Sequence, residues 1–257
     1  MSINFTETSR PMRKTSFIIV SALVVFGVII ASCSLPLSSA TNIDTPPTST
    51  YSPIPVSVPP FYDSTNLKIN VGGYSEQLGT FDFKKLSSLV EEMTAKKDEL
   101  TPEQMFVLAI RLFDLGDNDK AVYWFYEAQF RAKLFSIALD SAHIGSIGDP
   151  SFELPTAYNS FTQLTTEWIN GYAGCDIDNW VSIAQMVRDD NPTPPNLNKI
   201  FPGVVFLEKS QWSLLNQHVA EGLDGLISYL LNNRETIQQQ RKQNNTDARF
   251  CIQVTNG

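Results

Sequence analysis

The chain has 257 residues, 42% of them hydrophobic, an ordinary globular composition, and a net charge of −8. An acidic body repels phosphate backbones, and no basic stripe gathers anywhere along the chain, so nucleic acid is not a partner. Two histidines and three cysteines leave little material for general-base, thiol or metal chemistry.

Residues 1–11 are polar and unlike the start of an export signal, and Met12 is an alternative first residue. Met12-Arg13-Lys14 then precedes an apolar run from Phe17 to Ile30, which closes on Ile30-Ala31-Ser32-Cys33. Adjacent positive charges, an apolar segment and a small-residue exit are the parts of an export signal. Phe17 to Ala31 is 15 residues, against roughly 20 for a helix that crosses the hydrocarbon core, so a retained anchor is the less favoured alternative. The ending Ile30-Ala31-Ser32-Cys33 resembles the lipobox of bacterial lipoprotein precursors. That resemblance implies that residues 1–32 are a signal peptide and that Cys33 is diacylglycerylated, freed as residue one and acylated again. It also implies an outer-membrane address, because Ser34 stands where Asp resembles an inner-membrane retention mark. Two or more acyl chains hold a protein stably in a bilayer, at about 0.8 kcal/mol per buried methylene.

Removing residues 1–32 takes away Arg10, Arg13, Lys14 and Glu7, and leaves 225 residues with a net charge near −10. Residues 33–65 carry seven prolines among Ser and Thr with almost no charge. Proline removes backbone donors and fixes φ, so this stretch reads as a spacer, extended at about 3 Å per residue. Residues 66–245 read as an α-helical domain and 246–257 as a C-terminal tail. Leu67, Ile69 and Val71 alternate with polar residues as in a half-buried strand, ended by Gly72-Gly73. Helical spacing follows at Leu86, Leu89, Val90 and Met93.

Thr101-Pro102-Glu103-Gln104 has the form of a capping box with proline in the first turn, and Gly116 supplies a left-handed stop. Asp117-Asn118-Asp119 opens a second helix, which must run antiparallel to the first. Its run Tyr123-Trp124-Phe125-Tyr126 puts aromatic bulk on every side of one turn, which predicts a helix buried on several faces. Through Leu115-Gly116-Asp117 and Ala121-Val122-x-Trp124-Phe125-x-x-Ala128 the pair resembles a single tetratricopeptide or Sel1-like repeat. No second copy follows at a period of about 34 to 40 residues, so an ordinary helical hairpin remains the alternative to a repeat.

Gly145, Gly148 and Pro150 interrupt the pattern, and a helix is expected from Pro155 to Tyr172. Asp176 or Asp178 caps the next, a rigid loop follows at Asn191-Pro-Thr-Pro-Pro195, and 201–207 is a second short apolar run of strand character. One long helix is expected from Lys209 to Lys242, with 238–245, polar all round, fraying into solvent. The fold class is therefore mainly α, antiparallel hairpins packed as one domain with at most two short strands, 67–71 and 201–207.

With Cys33 taken by lipid, Cys175 and Cys251 are an even pair for an oxidising compartment, and a bridge between them would pin the tail. It would close about 76 residues, worth about 4 kcal/mol on the chain-entropy account; two separate buried thiols are the alternative. No HExxH, GxSxG, SxxK or phosphate-loop signature occurs, and no cofactor is implied. The DxD pairs Asp117/Asp119 and Asp176/Asp178 lack the remaining ligands of a calcium loop and fall where N-caps are wanted.

The reading that follows is a non-catalytic lipoprotein that holds a protein partner with a basic contact surface. Adaptor or immunity roles both suit it; immunity proteins of secreted phospholipase effectors resemble this layout. The partner-binding candidates are Tyr123, Tyr126, Phe130, Tyr158 and Trp168, as anchors where exposed. The alternatives are an envelope hydrolase using His143 or His218 with a carboxylate, and a structural spacer.

Overall fold

The computed structural model describes residues 72–79 and 82–251. The signal, Cys33, the tether and the 67–71 strand lie outside the described residues. After a 3₁₀ turn at Gly72–Tyr74 come α1 (Ser75–Leu78), α2 (Phe83–Ala95), α3 (Pro102–Asp114) and α4 (Asn118–Ala138). Then follow α5 (Pro150–Ala173), α6 (Ile177–Asp189), the single turn α7 (Leu197–Ile200), α8 (Lys209–Asn232), α9 (Arg234–Gln243) and α10 (Thr246–Phe250). Among the described residues no strand forms. The 201–207 run contributes one antiparallel bridge, Leu139 to Phe206, because Pro202 and the left-handed Gly203 (φ 89°) leave too short a straight segment to pair further.

The α3–α4 hairpin follows from its sequence. Thr101 accepts from the Gln104 amide while the Gln104 side chain takes the Thr101 amide, so two orphan donors are satisfied reciprocally. At the other end Gly116 has φ 84°, the Asp117 amide reaches the Leu112 carbonyl (2.9 Å) and the Gly116 amide the Phe113 carbonyl (3.1 Å). That is the Schellman arrangement, and it reverses the chain. Asp117 caps nothing with its side chain and pairs with Lys120 instead, a correction to the capping expected of it; Asp176 does cap α6.

α4 is the axis. It is covered by α3, α5, α6 and α8, and Ala121, Val122, Phe125, Ala128, Leu134 and Phe135 on it have no exposed surface. Each large apolar side chain so buried contributes about 1.5–3 kcal/mol of transfer free energy. Aromatic contacts lock the neighbours: Phe106 stacks on Phe161 at 5.3 Å, and Phe135 meets Phe201 at 4.5 Å and Tyr158 at 5.5 Å.

Three boundaries differ from expectation. α5 begins at Pro150, with Asp149 as N-cap, and carries Pro155 inside it. The expected Lys209–Lys242 helix breaks at Asn233, whose side-chain amide bonds the Tyr229 carbonyl (2.8 Å) that its own N–H also uses. And 238–245 does not fray. Arg241 is buried, and the expected tail begins as α10, packed on α5.

Candidate functional site

The C-terminal segment is strapped across the end of α5. Cys175 and Cys251 are bridged (S–S 2.05 Å, Cα–Cα 5.6 Å). Between them lies Arg241, whose Nη2 donates to the Gly171 carbonyl at 3.0 Å and lies 3.3 Å from each sulfur; its Nε donates to Asp247 at 2.6 Å. Two glycines make room. A Cβ on Gly171 would stand 2.7 Å from the Phe250 ring, and one on Gly174 would stand 2.4 Å from Arg241 Nη1. Beyond them Trp168 meets Phe250 edge-on, and Arg249 lies over both rings while pairing with Glu167.

Beside the bridge is a depression of about 180 Å³, lined among others by Asp119, Tyr172, Asp176, Asn179 and Trp180 together with both cysteines. Asp119 accepts from Asn179 (2.8 Å) and Tyr172 (3.1 Å). Under it, Trp180 donates to the Tyr126 hydroxyl (3.0 Å), which donates to Asn170 (2.9 Å). Burial raises the Tyr126 phenol well above its usual value, so it stays a neutral donor.

Tyr126, Phe130 and Tyr158 are buried. They are core, not partner contacts: Tyr126 and Phe130 lie on α4, which four helices enclose, and Tyr158 on α5 faces it, packed on Phe135. Tyr123 and Trp168 are half-buried: Tyr123 donates to Asp190 (2.7 Å), and Trp168 is covered by Arg249 and Phe250. His143 and His218 are exposed, His143 Nδ1 lying 2.7 Å from Asp140 and His218 Nδ1 3.7 Å from Glu221. Among the described residues no cluster of His, Cys, Asp or Glu is built to hold a metal ion, and no helix is long and apolar enough to cross a membrane.

Two features leave little trace in the sequence. One is a buried polar ladder: Arg131 bonds Glu127 (3.0 Å) and Asp98 (2.8 Å), Asn191 donates to Glu127 (2.6 Å), and Asn216 donates to the Asn191 carbonyl (2.9 Å). The Glu127-x-x-x-Arg131 spacing inside an otherwise apolar helix is its signal. The other is a set of exposed apolar side chains, Ile144 and Ile147 on the loop between α4 and α5 and Phe152 in the first turn of α5, with Val205 next to the loop through the Asp140 amide on its carbonyl. Alternation of Ile with Gly and Ser gives no periodic signal there.

The chain matches no family model and no solved structure. A protein of Haemophilus influenzae (strain ATCC 51907 / DSM 11121 / KW20 / Rd), named "Uncharacterized protein", is similar to it. The two are 24% identical over 207 residues, covering 77% of this chain and 78% of that protein. That share exceeds what residues outside the described part supply, so the likeness reaches into the helical domain.

Proposed function

We propose that the protein is a bacterial lipoprotein, anchored through Cys33 to the periplasmic face of the outer membrane. There it holds a protein partner without catalysis, as an adaptor or as an inhibitor of an envelope-acting effector. The observation that carries this reading is the disposition of the three cysteines. Two are paired with each other, as suits an oxidising compartment, and the third sits in the lipobox-like Ile30-Ala31-Ser32-Cys33. The Pro-rich stretch then serves as a spacer, and the tetratricopeptide or Sel1 likeness of the α3–α4 hairpin agrees with a binding role. Of the aromatic candidates, the three in the core are withdrawn as contacts. The exposed Ile144, Ile147 and Phe152 replace them, beside the acidic side chains Asp140 and Asp149, which suit a basic rim on the partner.

The test is affinity capture of the full-length, membrane-extracted protein, with mass spectrometry of partner and Cys33 peptide. An acylated Cys33 and a stoichiometric partner lost in Ile147→Asp support the reading. The hydrolase alternative draws on the 2.7 Å His143–Asp140 pair. A lone protein with a turnover abolished by His143→Ala would favour that alternative and overturn the binding reading.

A further inference from the structure

Of the two bridged residues Cys175 is exposed and Cys251 half-buried, so an incoming thiol approaches more readily from the Cys175 side. Both line the same depression, which gives the incoming group a place to sit. The Arg241 guanidinium lies 3.3 Å from each sulfur, and the Asp247 carboxylate that pairs with it at 2.6 Å lies 3.5 Å from Sγ of Cys251, placed to take the proton of the thiol once it has left. A cation at that distance lowers a thiol's pKa and makes it a better leaving group, and rates of thiol–disulfide exchange follow both access and leaving-group acidity. A bridge serving only to cross-link needs neither an exposed cysteine nor a cation shared by its two sulfurs.

We propose that Cys175–Cys251 is an exchangeable disulfide, opened by a protein dithiol that attacks Cys175 while Arg241 stabilises the departing Cys251 thiolate. The reductant's thiolate forms a bond to Sγ of Cys175, the Sγ–Sγ bond breaks, and its electron pair goes to Sγ of Cys251. The reductant's second thiolate then attacks its own sulfur in the mixed disulfide and releases Cys175. Two electrons pass to the protein, the dithiol becomes a disulfide, and its two protons end on Cys175 and Cys251. Opening the bridge removes the covalent hold on α9 and α10 and leaves the strap held on α5 through Phe250, Arg249 and the Arg241–Gly171 hydrogen bond. Asp119 and Asp176 line the depression, so cationic thiols gain over anionic ones. This inference concerns the bridge alone and stands whether or not Cys33 is acylated.

The experiment treats the full-length protein, extracted in mild detergent, with cysteamine as a cationic monothiol. Free thiols are quenched with iodoacetamide, and adducts are mapped by mass spectrometry. Cysteamine on Cys175 with alkylation on Cys251 is expected, faster than with 3-mercaptopropionate, and followed by tryptic cleavage after Arg241 or Lys242. In Arg241→Gln the rate should fall by about tenfold, whereas Arg241→Lys should keep it. Phe250→Ala, which loosens the strap without touching the sulfurs, should not slow it. Reaction only after denaturation, adducts shared equally by the two cysteines, an unslowed Arg241→Gln, or an equal slowing in Phe250→Ala would each overturn the proposal.

Discussion

At the scale of single residues, space and charge act separately and can be tested separately. Gly171 sits in a helix where alanine is normally preferred, yet its missing Cβ is what admits the Phe250 ring. Gly171→Ala should cost about 1–3 kcal/mol of stability by overpacking, read from urea denaturation. Gly225, inside α8 with nothing within 4 Å of an added methyl, should behave oppositely. There Gly225→Ala should gain about 0.5–1 kcal/mol. Glu127 is fully buried and compensated by Arg131 and Asn191. Glu127→Ala should cost about 3–5 kcal/mol, because Arg131 is left charged in the core, while Glu127→Met with Arg131→Leu should cost far less. Glu103 gives a pH signature. Burial raises its carboxyl above the usual value, against the opposing hydrogen bonds. The folded protein therefore holds this proton more tightly than the unfolded chain does. Its contribution is fully present below the ordinary carboxylate range and lost as pH rises through the raised value. In thermal melts, the advantage of Glu103→Gln over the wild type should grow as pH rises above the ordinary carboxylate range.

At the scale of elements, the strap is the part held least by apolar burial. α9 offers the core only Ile237 besides Arg241, and α10 only Phe250. Cys251→Ser should therefore remove up to about 4 kcal/mol, with hydrogen-exchange protection lost first from α10 and the last turn of α9 and kept in α3 and α4. The legible and illegible parts of the sequence divide along the same line. The capping box at Thr101, the left-handed Gly116 and the aromatic turn of α4 are local or periodic signals, and all three take the expected form. The docking of Arg241 depends on contacts across about 70 residues, with the Gly171 carbonyl and the Cys175 sulfur, and the break at Asn233 on one side-chain bond to the Tyr229 carbonyl that no periodicity announces. A polar helix held by charge and a bridge leaves no hydrophobic stripe to read. The exposed apolar set Ile144, Ile147 and Phe152 is illegible for a related reason: bulky residues among Gly and Ser at a helix start look like any connection until the fold leaves them uncovered.

At the scale of the whole molecule, the proposal is of an acidic helical body, bridged at Cys175–Cys251, that works outside the cytoplasm and is held near a surface by its N-terminus. α4 is enclosed by α3, α5, α6 and α8, so Tyr126 and Phe130 offer no anchor to the partner proposed above. The contact proposed in their stead is the exposed set Ile144, Ile147 and Phe152. All of this presumes acylation at one sulfur. Growing cells on an alkyne-bearing palmitate analogue and comparing wild type with Cys33→Ser tests it directly. The account predicts label and membrane sedimentation in the wild type, and an unlabelled, larger precursor in the variant; equal labelling, size and fractionation of the two proteins would contradict it.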